Sequence, residues 1–331
     1  ILLSIRFIPE YGLKTGIFYS IFHSISAVCN AGFDILGSTS LIKYQNDALV
    51  SIVVMLLIII GGLGYTVWND IILAVKKIFK RKSKLGKIFS ELTVHTKIVL
   101  ITTLILIVSG AIFTFLLEKD NSNIMKDDNI GTKILKSCFY SVTLRTAGFE
   151  TVDTTNLTTA SKFISIFYMF IGGSPGSTAG GIKTTTFAIL IFMVIGYLKG
   201  YENTVMHKRT ISQKILKRAI VIFAVSIIFV MTAIISLTIT EDLYQEQQSA
   251  MNQLNNTKFG FMDIIYEVFS AYATVGVTLG ITPKLSVIGK IIIMLLMFVG
   301  RVGPITISYA VLKKSNAQKK FNYPECDILV G

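Results

Sequence analysis

The chain is poor in charge and short of the side chains that covalent chemistry needs. Of 331 residues, 15% are charged, with 19 Asp and Glu against 32 Lys and Arg. The three cysteines, Cys29, Cys138 and Cys326, form no C-x-x-C pair, so neither a disulfide framework nor a metal site is indicated. His23, His95 and His207 are the whole histidine complement, and none lies in H-E-x-x-H. The long apolar runs contain no acid. A membrane protease or a proton pump would lack its usual equipment, so no enzyme is expected.

What is present is hydrophobic, at 52% of the residues. Uncharged runs at 48–69, 98–117 and 219–240 each reach the roughly 20 residues needed to cross hydrocarbon. An all-α integral membrane protein follows. The formal net charge of +13 could suggest nucleic acid, but its distribution points elsewhere. Residues 76–97 hold eight Lys or Arg against Glu91, and 199–218 hold six against Glu202. By the positive-inside rule both stretches face the cytoplasm. Residues 241–267 carry five acids against Lys258, and 118–136 balance four acids with four lysines; these belong outside. The basic stretches read as topology determinants near anionic lipid, and a docking surface for a cytosolic partner is compatible with that.

The stretch Ser270 to Gly280, SAYATVGVTLG, organises the rest. Its Thr274-Val275-Gly276-Val277 is close to the TVGYG loop whose backbone carbonyls replace the hydration shell of K⁺ in channels. A single copy would equally suit a buried strand. The chain holds two relatives, however: SISAVCNAGFD, with Asn30-Ala31-Gly32-Phe33, and YSVTLRTAGFE, with Thr146-Ala147-Gly148-Phe149. Recurrence at the period of a supersecondary unit is the mark of an internal repeat. Short apolar segments at 21–28, 134–142 and 261–271 precede the three loops. They read as re-entrant pore helices whose carboxyl ends aim partial negative charge at a cation.

Two crossings are irregular. Residues 163–182 are uncharged yet include Gly172, Gly173, Ser174, Pro175, Gly176, Ser177, Thr178, Ala179, Gly180 and Gly181, which a continuous helix does not accommodate. Irregular backbone at membrane depth is tolerated only where it is buried in protein or lines a cavity. The loop is therefore expected beneath the filter, with Lys183 following it. A phosphate-binding loop is a poor match, because Ile182 occupies the lysine position of G-x-x-x-x-G-K-[ST]. The last returning helix, 291–312, is interrupted by Arg301 in FVGRVGPIT. A mid-membrane arginine faces a cavity or a partner, unless it snorkels or pairs with a backbone carbonyl. By contrast, 48–69 reads as one continuous crossing whose Gly61, Gly62 and Gly64 admit a close neighbour.

The three loops, GGSPGSTAGGIKTTTF and MFVGRVGPIT together resemble the Trk/Ktr/HKT superfamily of potassium transporters, most of all the membrane subunit of bacterial Ktr systems. The resemblance covers essentially the whole chain. It implies units of outer helix, pore helix, filter loop and inner helix in pseudo-fourfold arrangement, with the first unit missing here. The chain, which opens in an apolar run without Met, is expected to start inside a longer protein. Residues 1–85 would be the second unit, 86–205 the third with its intramembrane loop, and 206–331 the fourth with a tail. The resemblance makes Gly32, Gly148 and Gly276 filter glycines and places K⁺ at the filter carbonyls. It makes Gly172 to Gly181 a gating loop with Lys183 and Arg301 beside it. It further implies potassium uptake across the bacterial cell membrane, Na⁺ as a candidate coupling ion, a homodimer, and a cytosolic ring of nucleotide-binding regulatory subunits of RCK/KTN type. The alternative is a secondary transporter for Na⁺ or another small solute, since glycine-broken helices also occur at midplane substrate sites.

Overall fold

The computed structural model describes residues 1–37, 40–80, 88–201, 203–206, 209–252 and 259–303, with backbone alone for 247–252. Three successive units run through it. The first comprises α1 (Ser4–Tyr11), α2 (Leu13–Val28), α3 (Ala48–Leu63), α4 (Tyr65–Lys80) and α5 (Ile88–Glu91). The second comprises α6 (Val94–Glu118), α7 (Ile130–Thr143), α8 (Thr159–Phe170) and α9 (Thr184–Leu198). A two-stranded hairpin, Val205–Met206 with Arg209–Thr210, leads to the third: α10 (Gln213–Asn252), α11 (Phe261–Tyr272) and α12 (Val287–Val302). The short helices α2, α7 and α11 each end shortly before one of the repeated glycines Gly32, Gly148 and Gly276. Two of them begin earlier than the apolar pattern suggested, at Leu13 and Ile130.

Helix composition is inverted relative to a soluble bundle. On α6 the inward stripe is mostly small or hydroxylated, with Thr96, Val99, Thr103, Leu106, Gly110 and Thr114 buried, while Leu104, Ile105, Ile112 and Leu116 are exposed. Residues three and four apart share one helical face, so this is a single seam turned toward the other helices. Small side chains let backbones approach, and larger apolar ones suit lipid. The Ser141 hydroxyl, from α7, uses that closeness to donate to the Ile107 carbonyl at 2.7 Å. α6 and the 213–246 part of α10 are long and apolar enough to span a membrane, and the bent pair α3 and α4 passes the same test together.

A second repeat, invisible in the apolar pattern, ties each outer helix to the start of an inner one. Glu118, at the end of α6, accepts from the Thr158 amide at 3.0 Å and the Thr158 hydroxyl at 2.7 Å, and Thr158 caps α8. Glu241 on α10 accepts from the Ser286 hydroxyl at 2.6 Å and the Ser286 amide at 3.1 Å, and Ser286 caps α12. In the first unit the polarity is reversed: Arg6 on α1 pairs at 2.8 Å with Asp47, the cap of α3. Both glutamates are fully buried; the Arg6 side chain is half exposed.

Two expectations require correction. The run 48–69 is not one continuous helix: α3 stops at Leu63, and α4 leaves at 95° to it. Gly64 sits at φ 81°, a conformation that favours glycine, and a Cβ there would fall 2.8 Å from the Pro175 carbonyl oxygen. Apolar continuity could not reveal a break imposed by a distant loop. Similarly, Arg301 does not interrupt a helix running to 312; it occupies the last turn of α12, which ends at Gly303 with φ 90°. Residues 304–312 lie outside the described residues, as do Cys326 and the 321–331 stretch.

Replacing Glu241 or Glu118 by alanine leaves buried donors unmatched and is expected to destabilise by about 1.5–3 kcal/mol, whereas Arg6→Ala should cost no more than about 1 kcal/mol. Thermal unfolding of the three variants in detergent checks the order, and equal losses would remove the inward-tie assignment.

Candidate functional site

The three glycine loops come together. A Cβ on Gly32 would meet the Ala147 carbonyl oxygen at 2.5 Å and Gly148 Cα at 3.0 Å; one on Gly148 would meet the Val275 carbonyl oxygen at 2.7 Å and Gly276 Cα at 3.4 Å. The filter strands therefore stand side by side in chain order, with the middle one touching both others. Each has the same backbone signature. The residue two before the glycine is left-handed although not glycine, at φ 48° for Asn30, 70° for Thr146 and 53° for Thr274. The glycines follow at 71°, 79° and 91°. A non-glycine residue held at positive φ costs on the order of 1–3 kcal/mol and persists only where its surroundings impose it.

Those surroundings are the pore-helix ends. The Ser26, Thr143 and Ser270 hydroxyls donate to the Phe33, Phe149 and Val277 carbonyls at 2.7, 2.6 and 2.6 Å. Each bond links the last turns of a pore helix to the residue after its filter glycine. Ala31, Ala147 and Val275 donate their amides to Ser26, Thr143 and Ser270 carbonyls at 2.9, 3.0 and 2.8 Å. The middle strand is one residue shorter between hydroxyl and glycine, five positions rather than six. At the left-handed position the side chains differ. The Thr146 and Thr274 hydroxyls are buried without a protein partner among the described residues, whereas the Asn30 amide, assigned the orientation that satisfies its surroundings, donates to the Ala27 and Ile58 carbonyls at 3.0 and 3.2 Å.

A polar collar surrounds the opposite end. Leu41 donates to the Glu150 carbonyl at 2.9 Å, and the Glu150 carboxylate accepts from the Thr278 amide at 3.3 Å. Thr154 donates to the Thr278 carbonyl at 2.6 Å, and Glu267 accepts from the Thr278 hydroxyl at 2.8 Å. The collar joins all three units.

The broken segment 171–183 packs against the second and third glycine loops, at Thr146 and Thr274, and against the last residue of α2, which leads into the first. Its neck is closed by Gly172 donating to Ile182 at 2.9 Å and Ile182 donating to Phe170 at 3.1 Å. Thr178 donates its hydroxyl to the Val28 carbonyl, the last residue of α2, at 3.2 Å. Gly172 packs beside Thr146, where a Cβ would stand 3.4 Å from the threonine methyl, and a Cβ on Gly180 would overlap the Thr274 hydroxyl. Ser174 and Thr178 donate amides to the Gly62 and Gly61 carbonyls at 3.0 and 3.4 Å, the Ser174 hydroxyl bonds the Leu63 carbonyl, and Gly176 accepts from the Tyr65 amide at 3.2 Å. Gly173 accepts from Thr184, and Ser177 turns its hydroxyl onto the Ser174 carbonyl at 2.7 Å. Gly172-Gly173-Ser174-Pro175-Gly176 also spells G-x-S-x-G, but with its hydroxyl on a backbone carbonyl the serine has no nucleophile's geometry.

Lys183 folds back on the Ala179 carbonyl at 2.6 Å, and Arg301 lies close enough for its charge to act on Lys183. Arg301 itself is exposed, one residue after Gly300, whose Cα presses on Tyr272 at the end of α11. A buried cation was missed: Arg145, immediately before Thr146, donates to the Gly172 carbonyl at 2.8 Å. It is the only charge between Lys136 and Glu150, which is the signal that would have singled it out.

A model of the TrkH family, described as a cation transport protein, matches residues 2–323. The chain belongs to this family. TrkH-family members are membrane transporters and not enzymes. Potassium/sodium uptake protein NtpJ of Enterococcus hirae is 39% identical over 332 residues, covering 99% of this chain and 67% of the relative. Ktr system potassium uptake protein B of Bacillus subtilis is 37% identical, covering 100% and 67%, and that of Vibrio alginolyticus is 38% identical, covering 100% and 66%. The chain thus spans about two thirds of the length of these relatives. The crystal structure of the potassium transporter TrkH from Vibrio parahaemolyticus shares the fold, with TM-score 0.66 at 14% identity, over 94% of this chain and 68% of that one.

The crowding at the filter differs between units, so alanine scanning should too. Gly148→Ala drives a Cβ into the neighbouring strand, whereas Gly276→Ala meets only Gly148 Cα at 3.4 Å. Rb⁺ uptake should therefore fall at least about tenfold further in Gly148→Ala, the equivalent of about 1.4 kcal/mol; equal losses would contradict the side-by-side order.

Proposed function

We propose that this chain supplies most of the pore of a potassium uptake protein of the bacterial cell membrane. Dehydrated K⁺ is held by the carbonyls of Asn30-Ala31-Gly32, Thr146-Ala147-Gly148 and Thr274-Val275-Gly276, with the free Thr146 and Thr274 hydroxyls at the inner end. The Phe33, Phe149 and Val277 carbonyls each have one lone pair engaged by a pore-helix hydroxyl, which makes them the weaker ligands of the set. No covalent chemistry is needed. Inward movement of one charge gains about 2.3 kcal/mol per 100 mV of membrane potential.

The loop of Gly172, Gly173, Ser174, Gly176, Ser177, Gly180 and Gly181 is the gate. The observation that carries this reading is its contact with Thr146 and Thr274 at the inner end of two filter strands and with Val28 at the end of the helix that leads into the first. Lys183 and Arg301 add two cations at that level and raise the cost of an ion passing while the loop is in place. The names of the relatives favour K⁺, and the Enterococcus protein's name keeps Na⁺ in view as a transported or coupling ion. The Ktr resemblance extends the proposal to a homodimer on a cytosolic ring of nucleotide-binding subunits. The exposed Lys76, Lys77 and Lys80 of α4 offer that ring a basic face.

The test is growth at limiting K⁺, with Rb⁺ and Na⁺ uptake, in cells lacking their own potassium uptake and expressing the complete gene. Gly276→Ser should lower the preference for K⁺ over Na⁺, and shortening the loop by removing 174–179 should raise flux several-fold. Cation flux indifferent to both changes would instead favour transport of another small solute.

A further inference from the structure

Arg145 has no counterpart in the other two filter strands: Cys29 and Ala273 stand at the same distance before their glycines. Its side chain is 6% exposed, and among the described residues no carboxylate pairs with it. One terminal guanidinium nitrogen donates to Gly172 at 2.8 Å; the other is buried without a partner. A buried unpaired cation is expensive enough that it rarely stays without a task. Part of the cost is offset locally, because the guanidinium follows directly on the carboxyl end of α7, where helix carbonyls carry partial negative charge. It also borders a cavity of about 10 Å³ lined by Gly62, Thr103 and Ile107, with room for about one water on the unpaired nitrogen.

Its position bridges the loop and the glycine strand. Forward along the chain, the next residue is Thr146, held left-handed at φ 70°. Across space, its acceptor is the first glycine of the loop neck, which itself packs on Thr146. We propose that Arg145 is a positioning residue that couples the loop to the filter: its bond to the Gly172 carbonyl holds the neck beneath the third-unit strand, so that loop and strand shift together when it releases. The inference rests on the gating reading of the loop and adds where the loop is fastened. A guanidinium suits the role better than an ammonium, because it keeps several donors in a rigid fork while one of them changes partner.

The experiment places a thiol reporter on the loop, Ser177→Cys, in the complete protein with Cys29, Cys138 and Cys326 replaced by alanine. Inside-out vesicles are treated with a membrane-impermeant maleimide, and the modification rate is compared among Arg145, Arg145→Lys and Arg145→Gln. Loss of one charged hydrogen bond predicts a rate about tenfold higher for Arg145→Gln and about threefold higher for Arg145→Lys, which keeps a donor but not the fork. Should Arg145→Gln fail to fold, Arg145→Lys alone decides. Equal rates in every folded variant overturn the coupling, whatever the flux does. Rb⁺ flux in the loop-shortened protein that retains Arg145 tests the gate separately: unchanged flux there removes the gate, while a changed modification rate of the reporter thiol would still establish the fastening. In folded variants, the Rb⁺ to Na⁺ uptake ratio should fall with Arg145→Gln, a shift that general destabilisation does not produce.

Discussion

Backbone that leaves the helix at membrane depth must find every hydrogen-bond partner inside the protein, and the architecture follows from meeting that demand at 171–183. A helix end leaves its last carbonyls without partners. By stopping at Leu63, α3 exposes the Gly61, Gly62 and Leu63 carbonyls, and the loop supplies the Thr178 and Ser174 amides and the Ser174 hydroxyl to take them. The break in one unit and the loop of the next are therefore two halves of one solution. Neither would be stable facing lipid alone.

The filter depends on that arrangement from above. Six positions with positive φ, in three strands, are held by pore-helix hydroxyls behind them and by neighbouring strands beside them. Glycine is required where strands approach most closely, at Gly32 and then Gly148, and the left-handed Asn30, Thr146 and Thr274 add strain that the repeat of the same bonds sustains. The outer collar through Glu150, Thr154 and Thr278 then prevents the strands from spreading at the far end.

What the sequence made legible was what it repeats. Three copies of a short helix followed by a polar residue and glycine mark the three loops that the fold brings together, and an apolar run crowded with glycine and proline marks the irregular segment. The bend at Gly64 was illegible because its cause, the Pro175 and Gly176 backbone, lies more than a hundred residues away. The ties from Glu118 to Thr158 and from Glu241 to Ser286 escaped because spacing between partners on separate helices has no fixed period. Arg145 stands within the second filter motif but has no equivalent in the sister copies, and alignment of repeats draws the eye to what they share.

The loop and Arg145 belong to one of the three units described. In an assembly of four identical subunits, any alteration beneath the filter would appear four times and close or widen the pore from every side at once. Fusion of the units into one polypeptide removes that restriction, because each quadrant mutates on its own. A segment can be suspended from one unit and anchored on its neighbour, like a door with a hinge and a jamb, while the three glycine loops keep near-equal geometry. On the proposed reading, selectivity and closure can then evolve at separate loci of the same gene.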